Sequence, residues 1–263
     1  MAMMVVLAAV VLTYGVSPGI AMEAGAVAGG THVLPLDMAE NSVDDMYNGC
    51  KEKMKKKVNK EYLQKEKTDI LNFREIWDIS KNNVHIPFWK WFTEVLKKNQ
   101  IVAIRTYTYK SNVYREFNKA VQTQGPEYDT KFGYHALHFL LTTAIQAKQG
   151  KKCLTVYRRV NMYFSQDVQN KEIRFGRFTS TSLGRYATEA FGDKSCFKIL
   201  TCMGADISPY STFPNEAEVL IPPYEVFKVV KIEKPTSKRP CEVVYTVKHT
   251  RAYSKLNCAL FPK

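Results

Sequence analysis

Two glutamates, Glu216 and Glu218, flank a single alanine where the apolar run Val219-Leu220-Ile221 begins. The run is rich in β-branched and aliphatic residues and predicts a strand. In a strand, residues two apart point the same way and lie about 6.6–6.8 Å apart along the backbone. We therefore expect the two carboxylates to share one face. Their repulsion should raise the pKa of at least one of them unless a cation lies nearby.

Three kinds of chemistry use a pair of carboxylates placed this closely. A glycosidase uses one as acid and the other as base or nucleophile. A metal site uses both as ligands. A third arrangement holds a cationic substrate beside a positive charge that develops during the reaction. Two acids at a strand end can also simply be solvated, so Glu-x-Glu alone does not choose among these.

Two further stretches place polar groups at the ends of predicted strands. Arg158 follows the apolar run Cys-Leu-Thr-Val-Tyr and precedes Arg159, and the forked guanidinium of an arginine binds phosphate well. Residues 178–182, Phe-Thr-Ser-Thr-Ser, follow alternating aromatics. The small hydroxyls there, Ser180 among them, could orient a ligand or a neighbouring carboxylate. Taken in order, the arginine, the serine and Glu-x-Glu form a pattern more specific than any one of them.

With that pattern, the chain resembles the secreted and membrane-anchored vertebrate mono-ADP-ribosyltransferases that modify arginine, the ecto-ADP-ribosyltransferase family. The signature of that family is Arg, then Ser, then Glu-x-Glu. The resemblance covers most of the chain after the leader. Its segments are DMAENSVDDMYNGC (37–50), YHALHFLLTTAIQ (134–146), TVYR (155–158), RFGRFTSTSL (174–183), AFG (190–192), TCMGADI (201–207) and FPNEAEVLIPPYEVFKVV (213–230).

The resemblance implies an enzyme that transfers ADP-ribose from NAD to the guanidinium of arginine in acceptor proteins and releases nicotinamide. NAD or NADP would be the co-substrate, with no prosthetic group and no metal. Breaking the bond between ribose and nicotinamide develops an oxocarbenium-like cation, as in glycoside cleavage. A fixed carboxylate would stabilise that cation, while a second one would bind and orient the guanidinium. The two acids would then serve two cations, one bound and one transient.

Carried over position by position, the resemblance gives five residues a role. Glu218 would be the catalytic carboxylate, bonding the 2′-OH of the nicotinamide ribose, and Glu216 would set arginine specificity. Ser180 would support the nicotinamide end of NAD and position Glu218. Arg158 would bind the pyrophosphate region, and Phe191 would pack against the nicotinamide side.

Some positions stay open or add further expectations. Arginine at position 159 stands where many relatives have glycine, so which of the two adjacent arginines contacts phosphate is open. The loop between Cys202 and Glu216, with Tyr210 and Phe213 in it, resembles the substrate-recognition loop of the family. The resemblance also implies the disulfides Cys50–Cys258 and Cys153–Cys202. Cys196 and Cys241 remain, either as a third pair or as free thiols.

Two other functions are compatible with the same residues. In an NAD glycohydrolase, water replaces arginine as the acceptor. In a secreted cationic module that binds glycosaminoglycans, the site would be inactive. Retention of Arg158, Ser180 and Glu218 favours an active enzyme over the binding module.

These residues must be positioned by a fold of the α+β class. The patterns before Gly150 predict mainly helices and those after it short strands, so helices and strands are segregated along the chain. We expect a helical N-terminal half packed on a C-terminal β-sandwich-like core that binds NAD, the ADP-ribosyltransferase fold. The strands are predicted at 154–160, 173–182, 197–201, 219–221, 226–232 and 243–247.

The helical half begins with Ser42, predicted as the N-cap of a helix with acidic residues in its first turn. Further helices are predicted over the basic segment 51–67, over 71–79, from Pro87 and over 133–147, and a short one over Leu183 to Phe191. His135 and His138 lie three apart on the 133–147 helix. They are surrounded by apolar residues, so we interpret them as structural.

The N-terminal residues read as a targeting segment. Residues 1–21 resemble a secretory signal, with Gly19 and Ala21 supplying the small residues of a cleavage site. A loose leader over 22–35 and a single catalytic domain over 36–263 would follow. We expect a secreted or extracellular protein, released freely or stored in secretory granules, without a transmembrane anchor.

The formal net charge is +13, and residues 51–67 contain eight of the lysines against three glutamates. Such a segment is either a solvated helix face or a binding surface for an anionic polysaccharide. Tyr62 is its single aromatic residue, so base stacking and hence nucleic-acid binding are not favoured. The chain has no C-x-x-C or H-E-x-x-H motif, so no zinc site is predicted.

Overall fold

The computed structural model describes residues 33–84, 93–234 and 241–261. The predicted signal segment, most of the leader and the helix start predicted at Pro87 lie outside these residues. Within them the chain has the predicted α+β order, with helices in the N-terminal half and strands in the C-terminal half.

The helices between residues 51 and 148 form the N-terminal layer. Their bounds are α1 Lys51–Lys57, α2 Leu63–Asp69, α3 Phe73–Asn82, α4 Lys98–Thr108, α5 Asn112–Thr123 and α6 His135–Lys148. A π-helical turn, Val58–Tyr62, joins α1 to α2 and makes the basic segment one continuous helix. Short 3₁₀ turns lie at Gly125–Glu127, Glu189–Phe191 and Pro214–Glu216.

The basic helix is buried along one line of residues spaced by four: Met54, Val58, Tyr62 and Glu66. An α-helix turns once every 3.6 residues, so a strict spacing of four drifts around its axis. The wider π turn in the middle of the helix offsets this drift, which keeps all four side chains against the core. The lysines between them face outward.

The structure corrects two predictions about the helices and adds two helices. Ser42 is buried but caps no helix, because residues 43–47 are irregular and α1 begins at Lys51. Leu183 to Phe191 forms only the 3₁₀ turn Glu189–Phe191, since Gly184 adopts a left-handed φ of +81° directly after the strand. Helices α4 and α5 were not predicted.

Ten strands follow or flank the helices in the described residues. They are β1 Val33–Leu34, β2 Leu154–Val160, β3 Tyr163–Phe164, β4 Glu172–Ile173, β5 Thr179–Leu183, β6 Ser195–Thr201, β7 Ala205–Asp206, β8 Glu218–Ile221, β9 Glu225–Glu233 and β10 Val243–Ala252. β1 pairs with β3 in parallel, and the other eight form a sheet in the order β4-β9-β10-β6-β2-β5-β8-β7. Among the strands that the structure describes, only the β6–β10 pair of this larger sheet is parallel, so the sheet is mostly antiparallel.

The larger sheet has two parts joined by a short pairing. The first part is β4-β9-β10-β6-β2, and the second part is β5-β8-β7. β2 and β5 share two registered pairs, Val156 with Leu183 and Tyr157 with Ser182. On either side of this joint, Val219 and Ile221 of β8 belong to the same buried cluster as Val156 and Phe197. The inner faces of the two parts therefore pack on each other, which is the sandwich-like core that the sequence predicts.

The helices cover the opposite face of the second part. Leu220 of β8, Phe178 before β5 and Ala205 of β7 are buried in the same cluster as the helical core. Because side chains alternate along a strand, Glu218 and Leu220 lie on the same face of β8. The helices α4 and α5 thus pack over the face of β8 that carries Glu218.

All six cysteines lie in the described residues and are paired. The disulfides are Cys50–Cys258 and Cys153–Cys202, as expected, and Cys196–Cys241, which settles the open pair. Among the described residues there is no helix with the length and apolar character needed to cross a membrane.

Candidate active site

A narrow cleft, open to solvent, lies between β5, β8 and the helices α4 and α5. Glu216, Glu218 and Ser180, three of the predicted site residues, line it together. The remaining lining residues come from the helical layer and from the loop before Glu216: Tyr107, Thr108, Tyr114 and Phe213. The sequence motif and the helices thus meet in one place.

The local backbone structure that places the two glutamates at the cleft differs from the predicted strand. Glu216 ends a 3₁₀ turn, and Ala217 after it has a left-handed φ of +47°, so Glu218 alone starts strand β8. Strand alternation therefore does not place the two side chains on one face. The turn brings Glu216 to the same cleft, and the carbonyl of Ala217 accepts a hydrogen bond from the Leu183 amide.

Glu218 is a buried carboxyl group in a partly compensated environment. Burial, with a smaller contribution from the neighbouring charge of Glu216, raises its pKa to about 7. Hydrogen bonds from the hydroxyls of Ser180 and Ser211 and the charge of Arg158 act in the opposite direction. The Ser211 hydroxyl lies 3.5 Å from Oε2 of Glu218. A carboxyl group of this kind changes its charge near neutral pH.

Ser180 is held from two sides. In the antiparallel pair of β5 and β8 it lies opposite Leu220, so its side chain points to the helical wall, as Glu218 does. There its Oγ is 3.4 Å from the hydroxyl of Tyr107 on α4. Tyr107 also donates to the carbonyl of Phe178 and accepts from Nδ2 of Asn118 on α5.

The two adjacent arginines of β2 bind different parts of the chain. Nη1 of Arg158 donates to the carbonyl of Ser180 at 2.6 Å. Nε of Arg159 donates to the carbonyl of Gly192 at 2.8 Å, and its Nη1 lies 3.5 Å from that of Ala187. Arg158 is thus the arginine beside the serine and Glu218, while Arg159 holds the loop after β5.

A third arginine lies near the first. Arg177 precedes β5, and its pKa is lowered to about 10 by burial and by the positive charge of Arg158. Tyr107 and Tyr114 are close enough to oppose that shift. Arg158 is close enough to Glu218 to lower its pKa, but neither Arg158 nor Arg177 is among the residues that line the cleft.

Phe191 lies outside the residues that line the cleft. It ends the 3₁₀ turn Glu189–Phe191 and is 9% exposed. The next residue, Gly192, has a φ of +111°, and a Cβ there would lie 2.3 Å from the backbone nitrogen of Asn161. Only glycine fits this close approach, which fixes the loop against the end of β2. The contact predicted for Phe191 with nicotinamide remains a prediction.

The loop before Glu216 is fastened to α4 and to the segment before it. The hydroxyl of Tyr210 donates to Glu94 at 2.6 Å. The Thr212 amide donates to Oγ1 of Thr108 at 2.9 Å. The amide of Phe213 donates to Oγ of Ser211, which itself lies against Glu218. The loop is therefore anchored to the wall of the cleft.

The histidines on α6 are structural, as predicted. His138 is fully buried, with Nδ1 2.7 Å from the hydroxyl of Tyr47 and Nε2 3.1 Å from the carbonyl of Val43. Burial lowers its pKa to about 3 and that of His135 to about 4, so both are neutral at physiological pH. His135 stacks on Tyr62.

Sequence reasoning missed Tyr107, Asn118 and Ser211, which surround the serine and the glutamate. Ser211 lies in the loop that the resemblance marks as substrate-recognising, so its neighbourhood to Glu218 could have been suspected. Tyr107 and Asn118 lie 73 and 62 residues before Ser180. No local pattern connects residues that far apart.

Comparison with known proteins agrees with this geometry. The family model described as NAD:arginine ADP-ribosyltransferase matches residues 36–249. The erythroblast NAD(P)(+)–arginine ADP-ribosyltransferase of Gallus gallus is 36% identical over 203 residues, 74% of this chain. The chain spans 66% of that relative's own length. Human ecto-ADP-ribosyltransferase 5 is 33% identical over 244 residues, 86% of this chain and 81% of the relative.

Solved structures show the same similarity. The crystal structure of the eukaryotic mono-ADP-ribosyltransferase ART2.2 superposes with a TM-score of 0.69 and 29% sequence identity. The match covers 87% of this chain and all of the other. A mutant of ART2.2 solved in complex with NAD matches with a TM-score of 0.68 and 28% identity.

Proposed function

Because the chain belongs to the NAD:arginine ADP-ribosyltransferase family, we propose that it transfers ADP-ribose from NAD to arginine side chains of acceptor proteins. The observation that carries the proposal is the cleft in which Glu216, Glu218 and Ser180 meet. NAD is a co-substrate in this reaction and is consumed by it. The names of curated relatives include NADP as well, so either dinucleotide is a candidate.

In the proposed reaction, the bond between C1′ of the ribose and the nicotinamide nitrogen breaks. Its electron pair leaves with nicotinamide, and positive charge develops on the ribose. Glu218 in its ionised form stabilises this charge and accepts a hydrogen bond from the ribose 2′-OH. Ser180, which donates to Glu218, keeps the carboxylate in place. Arg158 binds the pyrophosphate, and Phe191 packs at the nicotinamide side.

The acceptor nitrogen then forms a bond to C1′. A free guanidinium has a pKa above about 12 and offers no lone pair, so it must lose a proton as it attacks. Glu216 binds the guanidinium through two hydrogen bonds, directs one nitrogen at C1′ and takes up the proton. The loop with Tyr210 and Phe213 presents the acceptor protein to this residue.

The roles of the two glutamates are separated by substituting Glu216. We expect Glu216→Gln to lose at least about 10²-fold in transfer to agmatine, because the guanidinium is no longer bound and deprotonated. Cleavage of NAD by water should persist, because Glu218 remains. The measurement uses labelled NAD with agmatine, and an amine without a guanidine group is the control acceptor. Transfer to agmatine at the wild-type rate would contradict the role of Glu216.

The same assay tests the second enzymatic candidate, an NAD glycohydrolase. If wild-type protein released labelled ADP-ribose into water and left agmatine unlabelled, the glycohydrolase would be the better description. The presence of Glu216 in the cleft favours transfer, since hydrolysis of NAD does not require a second carboxylate.

A cationic surface adds a candidate partner, an anionic polysaccharide. Exposed lysines follow the outer faces of the continuous helix from α1 to α2: Lys51, Lys53, Lys55, Lys56, Lys60 and Lys65. Their charges are close enough to act together on an anionic polymer. This binding could accompany the enzymatic activity and hold the protein on anionic surfaces.

The polysaccharide proposal predicts a site-specific effect of charge. Lys53→Gln with Lys56→Gln should elute from heparin at clearly lower salt than the wild type. Lys228→Gln with Lys248→Gln, at exposed positions of β9 and β10, removes the same net charge elsewhere. If both double variants lowered the elution salt equally, net charge and not the helix would account for binding.

The three disulfides agree with a protein of an oxidising compartment. We propose that it acts outside the cell, with the segment 1–21 as its secretory signal and 36–263 as one catalytic domain. Storage in secretory granules is one route that this proposal allows.

A further inference from the structure

A chain of polar groups links the helical layer to the carboxyl group of Glu218. Nδ2 of Asn118 donates to Oη of Tyr107 at 3.1 Å. Oη of Tyr107 lies 3.4 Å from Oγ of Ser180. Tyr107, Ser180 and Glu218 line the same cleft, where Ser180 acts to lower the pKa of Glu218. We propose that Tyr107 is a positioning residue that holds the Ser180 hydroxyl in donation to Glu218 and so supports the anionic form of that carboxyl group. This inference rests on the proposed function.

The direction of the hydrogen bonds follows from the inventory of donors. Ser180 has one proton, and a carboxylate can only accept, so that proton goes to Glu218. Ser180 Oγ is then an acceptor toward Tyr107. The Tyr107 proton is shared between Ser180 Oγ and the carbonyl of Phe178, at 3.4 and 3.2 Å. Asn118 donates to the oxygen of Tyr107, so every proton in the chain can point toward the carboxylate.

Tyr107 suits this task because its proton and its ring are both fixed. Burial raises the pKa of Tyr107 well above its ordinary value, so the hydroxyl keeps its proton. The ring packs edge-on against Tyr114 and Phe117, with centroids 5.0 and 6.0 Å away. Hydrogen bonds in such a buried chain polarise one another, which strengthens the last one, to Glu218.

Other charged and titratable groups also face Glu218, and their effects must be separated from that of Tyr107. Glu216 on the 3₁₀ turn raises the pKa of Glu218, and Arg158 on β2 lowers it. Arg177 lies next to Arg158 and Tyr107. None of these groups changes when only the Tyr107 hydroxyl is removed.

The experiment compares Tyr107→Phe with the wild type in NAD cleavage and in transfer to agmatine across pH. Loss of the hydroxyl should lower kcat about tenfold and leave KM for NAD within about twofold. The acidic limb of the pH profile, set by Glu218, should move up by about one pH unit. The double variant Tyr107→Phe with Ser180→Ala should lose little more kcat than Ser180→Ala alone. Both substitutions act through the same hydrogen bond, from Ser180 to Glu218.

Two further variants guard against a purely structural effect. Tyr107→Phe leaves the Asn118 amide without its acceptor. The double variant Tyr107→Phe with Asn118→Leu removes both partners and should restore stability. The acidic limb of its pH profile should stay where Tyr107→Phe alone places it. Tyr245→Phe is the matched control, because its buried ring also carries a hydroxyl bonded to a carbonyl, that of Phe164, in the other core cluster. Its pH profile should equal that of the wild type.

A titration of the Glu218 carboxyl carbon by NMR, assigned through Glu218→Gln, needs no activity. A higher midpoint in Tyr107→Phe than in the wild type supports the inference. An unchanged midpoint or an unchanged acidic limb in an active Tyr107→Phe would overturn it and leave the proposed function intact. The wild-type protein could also neither transfer ADP-ribose nor cleave NAD, while the Glu218 midpoint is still higher in Tyr107→Phe than in the wild type. That result would overturn the proposed function alone.

Discussion

Glu218 is the residue at which the needs of the fold and of the reaction conflict. Its carboxyl group is buried among Ser180, Ser211 and the aromatic wall, and burial raises its pKa to about 7, against an ordinary value of 4.5. Between these two pH values the folded protein holds a proton at Glu218 that the unfolded chain has lost. The contribution of this group to stability therefore decreases as pH rises from 4.5 to 7, and stays low above 7.

We predict that Glu218→Gln gains stability as it loses activity. A shift of 2.5 units, from 4.5 to about 7, corresponds to about 3 kcal/mol. The variant should exceed the wild type by about 3 kcal/mol in free energy of unfolding at pH 8, but by only about 1 kcal/mol at pH 5. NAD cleavage should fall by at least about 10³-fold.

Urea unfolding at the two pH values measures this difference. Glu127→Gln is a control at an exposed ion pair with Lys131 and should change stability by less than about 1 kcal/mol at either pH. An equal gain at pH 5 and pH 8 would show that the charge of Glu218 is not its cause.

In the wild type, kcat/KM for NAD should fall as pH drops below about 7, since Glu218 must be ionised.

At the scale of elements, a buried ion pair joins segments distant in sequence. Arg174 follows β4 and pairs with Asp44, and neither side chain is exposed. Arg174 also donates to the carbonyls of Met38 and Tyr253, while Asp44 accepts from the amides of Lys255 and Leu256. The segment before α1, the strand β4 and the segment after β10 thus meet at one pair of charges.

We predict that Arg174→Met destabilises the protein by about 3–5 kcal/mol, because it leaves the Asp44 carboxylate buried without its cation. Arg251→Met is the matched control. It breaks the pair of Arg251 with Glu172, whose side chains are 46% and 37% exposed, and should cost less than about 1 kcal/mol. Chemical denaturation measures both, and similar losses in the two variants would contradict the argument.

This cluster also explains one limit of prediction from sequence. In the sequence, Asp44 and Asp45, two and three residues after Ser42, indicate the acidic first turn of a helix. In the folded protein they instead accept hydrogen bonds from residues more than 200 positions away, including the amide of Cys258. A tertiary contact of this kind overrides a local capping preference.

Hydrophobic periodicity predicted secondary structure better than the capping pattern did, where an element packs on one side. The strand over 154–160 was predicted with its observed bounds, and the helix over 133–147 nearly so. Helix α5 has buried residues at Val113, Tyr114, Phe117, Ala120 and Val121, the spacing of an amphipathic helix, so its signal was present. Helix α4 is buried on most sides and carries β-branched residues, and such a run does not distinguish a helix from a strand.

For the whole molecule, the sequence predicted the class, the order of helices and strands, and the residues of the motif. It could not predict how these residues are supported. The motif lies on β2, β5, β8 and the 3₁₀ turn before β8, and the polar groups that surround it come from α4, α5 and the loop before β8. Their meeting depends on the packing of the helices on one part of the sheet, which is a property of the complete fold.

The disulfide between Cys50 and Cys258 spans 208 residues and so closes almost the entire described chain into a covalent ring. A protease that cuts this ring once, at any exposed loop between the two cysteines, opens it but releases no fragment. The nicked protein should migrate as one band until a reductant is added. Both pieces would stay at high local concentration, so their mutual contacts can persist after damage that would separate an unbridged chain.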